Sequence, residues 1–185
     1  MQRWIAQVGK AEADRIGSEA KVLGTKVHST AQAEAAAFNK RSAVYHLEEM
    51  QPFADAVREF YEKWVHEVIA TELSLTSDRW GFGGTLDAYV TLTSGEYAVL
   101  DFKTTSSLTR LHGMQLCGYG LLLRDNGYVL NRRIGVRIRK DKPGKWALRE
   151  FKNHREDYEG FVGALALWKW QRARMLEREA KKANE

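Results

Sequence analysis

Two carboxylates and an amine lie close together in the stretch from Gly83 to Thr105, which reads GGTLDAYVTLTSGEYAVLDFKTT. Asp101 and Lys103 are two residues apart, so in a β-strand their side chains would project from the same face. Asp87 precedes Asp101 by fourteen residues, in a second alternating segment. If Asp87 shares that face, the stretch presents two oxygen ligands for a hard divalent cation beside an ammonium group. Such a patch would make a poor hydrophobic core and a good metal site.

A β-hairpin would bring the two aspartates together, and its register depends on the turn. Apolar and polar residues alternate on both sides of the segment Thr93–Gly95. A two-residue loop would pair Asp87 with Phe102, whereas a three-residue loop pairs Asp87 with Asp101. Gly95 suits the left-handed third position of the longer loop. The sequence therefore predicts that Asp87 and Asp101 lie opposite each other on one face of the sheet.

The chemistry that this patch could support is metal-dependent hydrolysis of a phosphodiester bond. Mg²⁺ and Mn²⁺ bind through oxygen ligands, and the carbonyl of Phe102 would add one to those of the aspartates because it lies between two site residues. Lys103 could orient the attacking water or neutralise charge that develops on the phosphate. In the alternative interpretation, Asp101 and Lys103 form an ordinary ion pair on a solvated strand.

Length and composition are typical of a single globular domain over residues 1–185, of which 44% are hydrophobic. We expect residues 1–23 to form a charged helical extension and residues 171–185 to be the charged end of the last helix. The N-terminus lacks the apolar centre of a signal peptide, and no apolar run has the length of a membrane span. We therefore expect a cytoplasmic protein with no membrane partner. Cys117 is the single cysteine, which excludes an internal disulfide bond and a four-cysteine site for zinc or an iron–sulfur cluster.

Positive charge is concentrated in one part of the chain. The whole chain has a net charge of +5, whereas the segment from Arg124 to Arg155 contains eleven Lys or Arg and three Asp or Glu. This asymmetry favours a surface that faces phosphates. The candidate nucleic-acid contacts are three arginines of a predicted strand and three lysines of the turn after it: Arg133, Arg137, Arg139, Lys140, Lys142 and Lys145. A solvated sheet face is the alternative.

The elements that must position these groups follow from hydrophobic periodicity and turn signals. Helices are predicted at 25–40, 52–68, 111–124 and 153–183, and strands at 71–76, 86–92, 99–103, 128–139 and 146–151. Thr25 is the expected N-cap of the first of these helices, and Trp168 is expected on the inner face of the last. The predicted fold class is α/β, with a central mixed sheet of about five strands flanked by helices.

Five short motifs give the sequence a wider context. They are Gly24-Thr25 with His28, Glu72, Gly84-Thr-Leu-Asp87, Asp101-Phe-Lys103-Thr104 and Gln115-x-x-x-Tyr119. In this order, over residues 24–119, they resemble the PD-(D/E)xK nuclease superfamily and, within it, the RecB-like exonucleases. Many members carry Glu at the position of Asp101, and the RecB-like branch accepts Asp there.

The resemblance implies a restriction-endonuclease-like core, Mg²⁺ or Mn²⁺ as cofactor and DNA as partner. It also implies a role for each matched residue: Asp87 and Asp101 bind the metal, Lys103 is the catalytic lysine, His28 adds a metal ligand, Glu72 is an additional carboxylate, and Gln115 and Tyr119 border the active site. The alternative for His28 is a surface or core position. For Glu72, Gln115 and Tyr119 the alternative is a solvated polar position.

The implied activity is that of a DNA nuclease, and we expect an exonuclease that acts on DNA ends in recombination, repair or phage DNA processing. An endonuclease or nickase on the same fold and a catalytically idle nucleic-acid-binding protein are the alternatives. The lack of four cysteines excludes the relatives that carry an iron–sulfur cluster, and the length leaves no room for a helicase domain. We therefore expect a stand-alone nuclease, for which a homo-oligomer or a recombination partner protein would be compatible with the resemblance.

Overall fold

A mixed sheet of five strands forms the centre of the protein, which confirms the predicted fold class. The computed structural model describes residues 9–183. The strands are β1 (Val65–Ser77), β2 (Phe82–Leu92), β3 (Tyr97–Lys103), β4 (Arg132–Ile138) and β5 (Trp146–Glu150), and they lie in this order across the sheet. The helices are α1 (Lys10–Lys40), α2 (Gln51–Trp64), α3 (Arg110–Asp125) and α4 (His154–Ala183), with a short 3₁₀ helix at Glu48–Met50.

Strands β3 and β4 are parallel, whereas every other neighbouring pair in this sheet is antiparallel. The parallel pair follows from α3, which carries the chain from the end of β3 back to the start of β4. A strand–helix–strand connection of this length commonly returns the second strand parallel to the first. The carboxyl ends of both strands therefore lie at the same edge of the sheet, with Lys103 and Arg137 paired in register.

Two hydrophobic cores lie on opposite faces of the sheet. On the first face, Phe60 and Tyr61 of α2 meet the ring of Phe102 edge-on, at centroid distances of 6.2 and 5.9 Å. On the second face, α3 packs Leu116 and its neighbours against β2 and β3, including Val99. Because alternate residues of β3 point to opposite faces, the polar residues that follow Val99 at two-residue spacing lie on the side of α3.

Helix α1 differs from its prediction because it runs unbroken through Gly24. The expected N-cap at Thr25 is wrong, since its hydroxyl donates a hydrogen bond to the carbonyl of Lys21 inside the helix (3.2 Å). Tertiary packing explains the continuous helix: the turns that begin at Val27 bury one face in the first core, which outweighs the cost of about 1 kcal/mol for a helical glycine. Residues 1–8 of the predicted extension lie outside the described residues.

The boundary between α2 and β1 lies earlier than predicted. Pro52 stands in the first turn of α2, as expected, but the helix ends at Trp64 and β1 begins at Val65. Val65 and Val68 are buried in the same core as the apolar face of the helix, so the spacing of apolar residues cannot mark the change. The β-branched residues at this point favour the strand.

Strand β1 forms one edge of the sheet, and a side chain of α1 closes part of its outer side. The amide nitrogen of Asn39 donates to the carbonyl of Val68 (2.6 Å), and the amide oxygen of Asn39 accepts from the N–H of Val68 (3.0 Å). Both backbone groups of Val68 are thereby satisfied without a further strand. The register of β1 with β2 shifts on either side of this residue.

A buried ion pair between β4 and α4 corrects one predicted nucleic-acid contact. Arg133 is 3% exposed, and its guanidinium donates to Asp157 of α4 (2.9 Å) and to the carbonyls of Phe151 (2.9 Å) and Gly113 (3.2 Å). It lies on the sheet face that helices cover, where no phosphate can reach it. The prediction that Arg133 binds nucleic acid is therefore wrong, because this residue anchors the start of α4.

Helix α4 is packed over its first half and exposed over its second. The ring of Phe161 lies 5.0 Å from that of Phe82, whereas every side chain of residues 166–179 is exposed. Trp168 is therefore 52% exposed and not on an inner face, contrary to prediction. At 30 residues, or about 45 Å, α4 extends well past the 16-residue α3 on which it packs.

Between residues 9 and 183, no helix combines the length and the apolar character that crossing a bilayer requires.

The close approach of α3 and α4 gives a prediction on stability. A Cβ added at Gly113 would lie 2.6 Å from the Asp157 carboxylate and 2.7 Å from the Phe151 ring. Gly113→Ala should therefore lower the free energy of unfolding by about 1–3 kcal/mol, despite the better helix propensity of alanine. Gly163→Ala in α4 is the matched control, because nothing lies within 4 Å of its added Cβ. Urea denaturation should show a gain of up to ~1 kcal/mol for the control, and equal effects of the two substitutions would contradict this packing.

Candidate metal centre

The hairpin of β2 and β3 has the predicted three-residue turn. Gly95 adopts the left-handed conformation that this turn requires, with a φ of 83°. The paired residues of the two strands end with Ala88 opposite Leu100. The pairing ends one step before the two aspartates, so the pairing of Asp87 with Asp101 on one face of the sheet stays a prediction.

The backbone ladder between β2 and β3 stops before these aspartates, and a side chain replaces the next backbone acceptor. In a regular ladder, the N–H of Phe102 would donate to the carbonyl of Leu86. It donates instead to Oδ2 of Asp87, at 2.7 Å. Strand β2 therefore leaves β3 at Asp87, and a backbone group of the opposite strand fixes this carboxylate.

Three side chains from three elements converge at this point. His28 of α1, Glu72 of β1 and Asp87 of β2 each place a possible ligand atom within 4.8 Å of the other two. Nδ1 of His28 lies 3.2 Å from Oδ1 of Asp87. The hydrogen bond to Asp87 raises the pKa of His28, so a proton and a metal ion would compete for this imidazole.

Glu72 has an unusual backbone conformation for a residue inside a strand. Its φ is 48°, in the left-handed region, which costs a residue other than glycine about 1–3 kcal/mol. The residue pairs on either side of Glu72 keep their register with β2. The distortion is therefore local, and the Glu72 carboxylate lies within 4.8 Å of that of Asp87.

Asp101 is a buried carboxylate with only one of its oxygens satisfied. Its side chain is 0% exposed, and burial raises its pKa to about 6, against the opposing effect of Lys103. Nζ of Lys103 lies 2.5 Å from Oδ1. The other oxygen, Oδ2, is buried and has no hydrogen-bond partner among residues 9–183. Such an oxygen is costly to bury, and a cation would compensate it.

The donor set fits a hard divalent cation. The ligand atoms within 4.8 Å of one another are carboxylate oxygens of Asp87 and Glu72 and a nitrogen of His28; Asp101 is not in that group and lies next to Phe102, whose N–H donates to Asp87. The buried oxygen of Asp101 supports this fit, because no protein group in the described residues satisfies it. Phe102 directs its ring into the first core and its N–H to Asp87. The binding of a metal by its carbonyl stays a prediction.

Helix α3 borders the carboxylates from the second face of the sheet. Gln115 donates from Nε2 to the hydroxyl of Tyr119 (2.7 Å), so the two predicted residues are in contact. Burial raises the pKa of Tyr119 to about 12, and the carboxylates of the site act in the same direction. The phenol is therefore a neutral hydrogen-bonding group. Gly84 of β2 lies against this helix, since an added Cβ would be 3.4 Å from the Tyr119 ring.

Arg137 lies closer to the site than the sequence-based assignment to a nucleic-acid surface indicates. It pairs in register with Lys103 across the parallel strands, so both side chains project from the same face. The signal for this position was present in the strand–helix–strand order, which predicts that β4 lies parallel and next to β3. Arg137 therefore projects from the same face of the sheet as the catalytic candidate Lys103.

The other predicted nucleic-acid contacts lie at the end of β4 and in the turn to β5. Nε of Arg139 donates to the Asp141 carboxylate (3.2 Å), as does Arg137 (3.2 Å). Three lysines are exposed in this region, and their contact with nucleic acid stays a prediction: Lys140, Lys142 and Lys145. The positive charges of Arg137 and Arg139 are thus partly compensated by Asp141. The accessible positive charge of this region lies on the lysines of the turn.

Comparison with known proteins gives a structural relative and no sequence relative. A scan against models of protein families finds no match, and a search of curated proteins finds none either. Among solved structures, the crystal structure of a protein from Eubacterium rectale named "putative exonuclease" matches with a TM-score of 0.53 and 12% sequence identity. The match covers 80% of this chain and 64% of the other, so this chain spans less than two thirds of that protein. At this identity the likeness shows a shared fold.

The conformation of Glu72 gives a prediction that separates strain from ligand chemistry. Without metal, Glu72→Gly should raise the free energy of unfolding by about 1 kcal/mol, because glycine adopts a positive φ without strain. Glu72→Gln keeps the strain and should stay within ~0.5 kcal/mol of the wild type. Both variants should bind Mn²⁺ more weakly in isothermal titration calorimetry. A Glu72→Gly protein less stable than Glu72→Gln would contradict the assigned strain.

Proposed function

We propose that the protein is a divalent-metal-dependent nuclease that hydrolyses phosphodiester bonds of DNA. The observation that carries the proposal is the buried Asp101 carboxylate, which has Lys103 on one oxygen and no partner among the described residues on the other. The carboxylate of Asp87 accepts from the N–H of Phe102, the residue after Asp101, and His28 of α1 and Glu72 of β1 approach Asp87. Oxygen ligands beside a lysine and an arginine suit a phosphate, whose charge both the metal and the cations neutralise.

Each site residue has a role that its position supports. Asp87, Asp101, Glu72 and His28 would hold Mg²⁺ or Mn²⁺, which when bound polarises the phosphate and lowers the pKa of a coordinated water. Lys103 is held by Asp101 and would orient the attacking water or stabilise developing negative charge. Tyr119, fixed by Gln115, is a hydrogen-bond donor at the border of the site.

The order of the motifs supports the RecB-like branch of the PD-(D/E)xK superfamily, and the shared fold agrees with it. The solved relative is named after an exonuclease, which favours action on DNA ends over internal cleavage. The single cysteine, Cys117, supports a branch without an iron–sulfur cluster. The exposed lysines of the β4–β5 turn would then contact the DNA backbone.

Cleavage of end-labelled DNA with Mg²⁺, Mn²⁺ or EDTA tests the proposal. Asp101→Asn should lower the rate by about 10³-fold or more, because a metal ligand and the partner of Lys103 are lost together. Asparagine has nearly the same shape and removes a buried charge, so circular dichroism should show an intact fold. Asp14→Asn, at an exposed position of α1, is the matched control and should cleave at the wild-type rate. A folded Asp101→Asn protein as active as the control would rule the assignment out.

Covalently closed circular DNA in the same assay separates the two kinds of cleavage. We expect linear DNA to be degraded from its ends while closed circles stay intact. Loss of the circles would indicate an endonuclease or nickase on the same site. Binding of DNA without metal-dependent loss of any substrate would leave an accessory protein with an idle site.

A further inference from the structure

The exposed half of α4 carries two tryptophans that have no part in the proposed site. Residues 166–179 are exposed throughout, and we refer to this segment as the arm. Trp168 and Trp170 are 52% and 60% exposed, an unusual placement for the largest apolar side chain. Three other apolar side chains of the arm are more than half exposed: Leu167, Met175 and Leu176.

Each of these indoles has an arginine one helical turn further on. The guanidinium of Arg172 lies 5.7 Å from the ring centroid of Trp168, and that of Arg174 lies 5.4 Å from Trp170. Both distances are in the range of cation–π contacts. The arm also has a net positive charge, with four basic and two acidic residues: Lys169, Arg172, Arg174, Arg178, Glu177 and Glu179.

The placement of the two tryptophans argues against a second protein helix as the partner, because one docked helix could not cover both indoles. A coiled-coil seam repeats every 3.5 residues on one side of the helix, and a helix docked on a protein buries a single stripe. Trp168 and Trp170 are two residues apart, which at 3.6 residues per turn sets them about 160° apart around the axis. Aromatic rings on nearly opposite sides, each beside a cation, suit a flexible anionic polymer that can pass around the arm.

We propose that the arm binds single-stranded DNA, with its indoles stacked on unpaired bases and its guanidinium groups on phosphates. The choice of DNA as the polymer rests on the proposed function. Duplex DNA offers its phosphates to the arginines, but its bases are already stacked inside the double helix. The arm therefore discriminates in favour of single strands.

The base of the arm is fixed beside the strand that leads to the metal centre. Lys169 donates a hydrogen bond to the carbonyl of Trp80, in the turn between β1 and β2. The Trp80 ring packs edge-on against Tyr158 of α4, with centroids 6.0 Å apart. Strand β2 runs from this turn to Asp87. The arm thus holds a single strand on the side of the domain from which β2 enters the site.

Fluorescence anisotropy in EDTA, with labelled oligothymidylate of about 20 nucleotides, measures this binding without cleavage. Trp168→Leu combined with Trp170→Leu keeps apolar bulk but removes both aromatic faces. Affinity for the single strand should fall at least ~tenfold, and affinity for duplex DNA should change less than ~twofold. The control, Leu167→Ala combined with Leu176→Ala, removes exposed apolar area and should bind like the wild type. All four positions are exposed, so the fold should be retained.

Three results would overturn the inference. The first is unchanged single-strand affinity in the double tryptophan variant, and the second is an equal loss in the leucine control. The third is a tryptophan variant that keeps its DNA affinity but has a lower molecular mass than the wild type in sedimentation equilibrium. That result would assign the arm to an interface between protein chains. Hydrolysis of bis(p-nitrophenyl) phosphate with Mn²⁺ reports on the metal centre alone. If this substrate is not hydrolysed but DNA binding depends on the tryptophans, the nuclease proposal is rejected and the proposal that the arm binds single-stranded DNA is retained.

Discussion

A charge buried in a protein must be compensated, and at Asp101 only half of that requirement is met by the chain itself. Lys103 satisfies one carboxylate oxygen, and no group among the described residues satisfies the other. The surrounding sheet is irregular at this position, because the backbone of Phe102 bonds to the side chain of Asp87 and not to the backbone of β2. In an unbroken ladder this N–H would bond to the backbone of β2 and would not hold the Asp87 carboxylate. The hydrogen-bond ladder of the sheet is therefore interrupted next to the carboxylates.

The two helical layers reach this position from opposite faces of the sheet. Helix α1 belongs to the first core and brings His28, whereas α3 belongs to the second and brings Tyr119. The crossover through α3 also returns β4 beside β3, which sets Arg137 in register with Lys103. A site built in this way depends on several tertiary contacts at once. Its residues are therefore distributed over most of the chain.

How far the sequence predicts this arrangement depends on whether the signal is local. The Gly95 turn fixes the register of β2 with β3 as far as Ala88 and Leu100, and this register needs no tertiary information. Burial of Arg133 depends on its ion pair with Asp157, twenty-four residues away. Strand alternation could predict the face of the sheet on which Arg133 lies, but it could not predict this partner. The positive φ of Glu72 and the exposure of Trp168 are also tertiary outcomes, because neighbouring elements determine both. The continuous helix α1 has the same origin, since packing overrides the propensity of Gly24.

The contact of Asn39 with Val68 has a consequence for how the sheet meets other molecules. Strand β1 is 13 residues long, and a long open edge is a template on which a strand of another chain can pair and aggregate. One amide side chain occupies both backbone groups of Val68, and the shifted register and the left-handed Glu72 prevent the edge from being flat. An incoming strand would find only short regular segments on either side. Asn39 thus shortens the stretch of β1 on which another strand could pair.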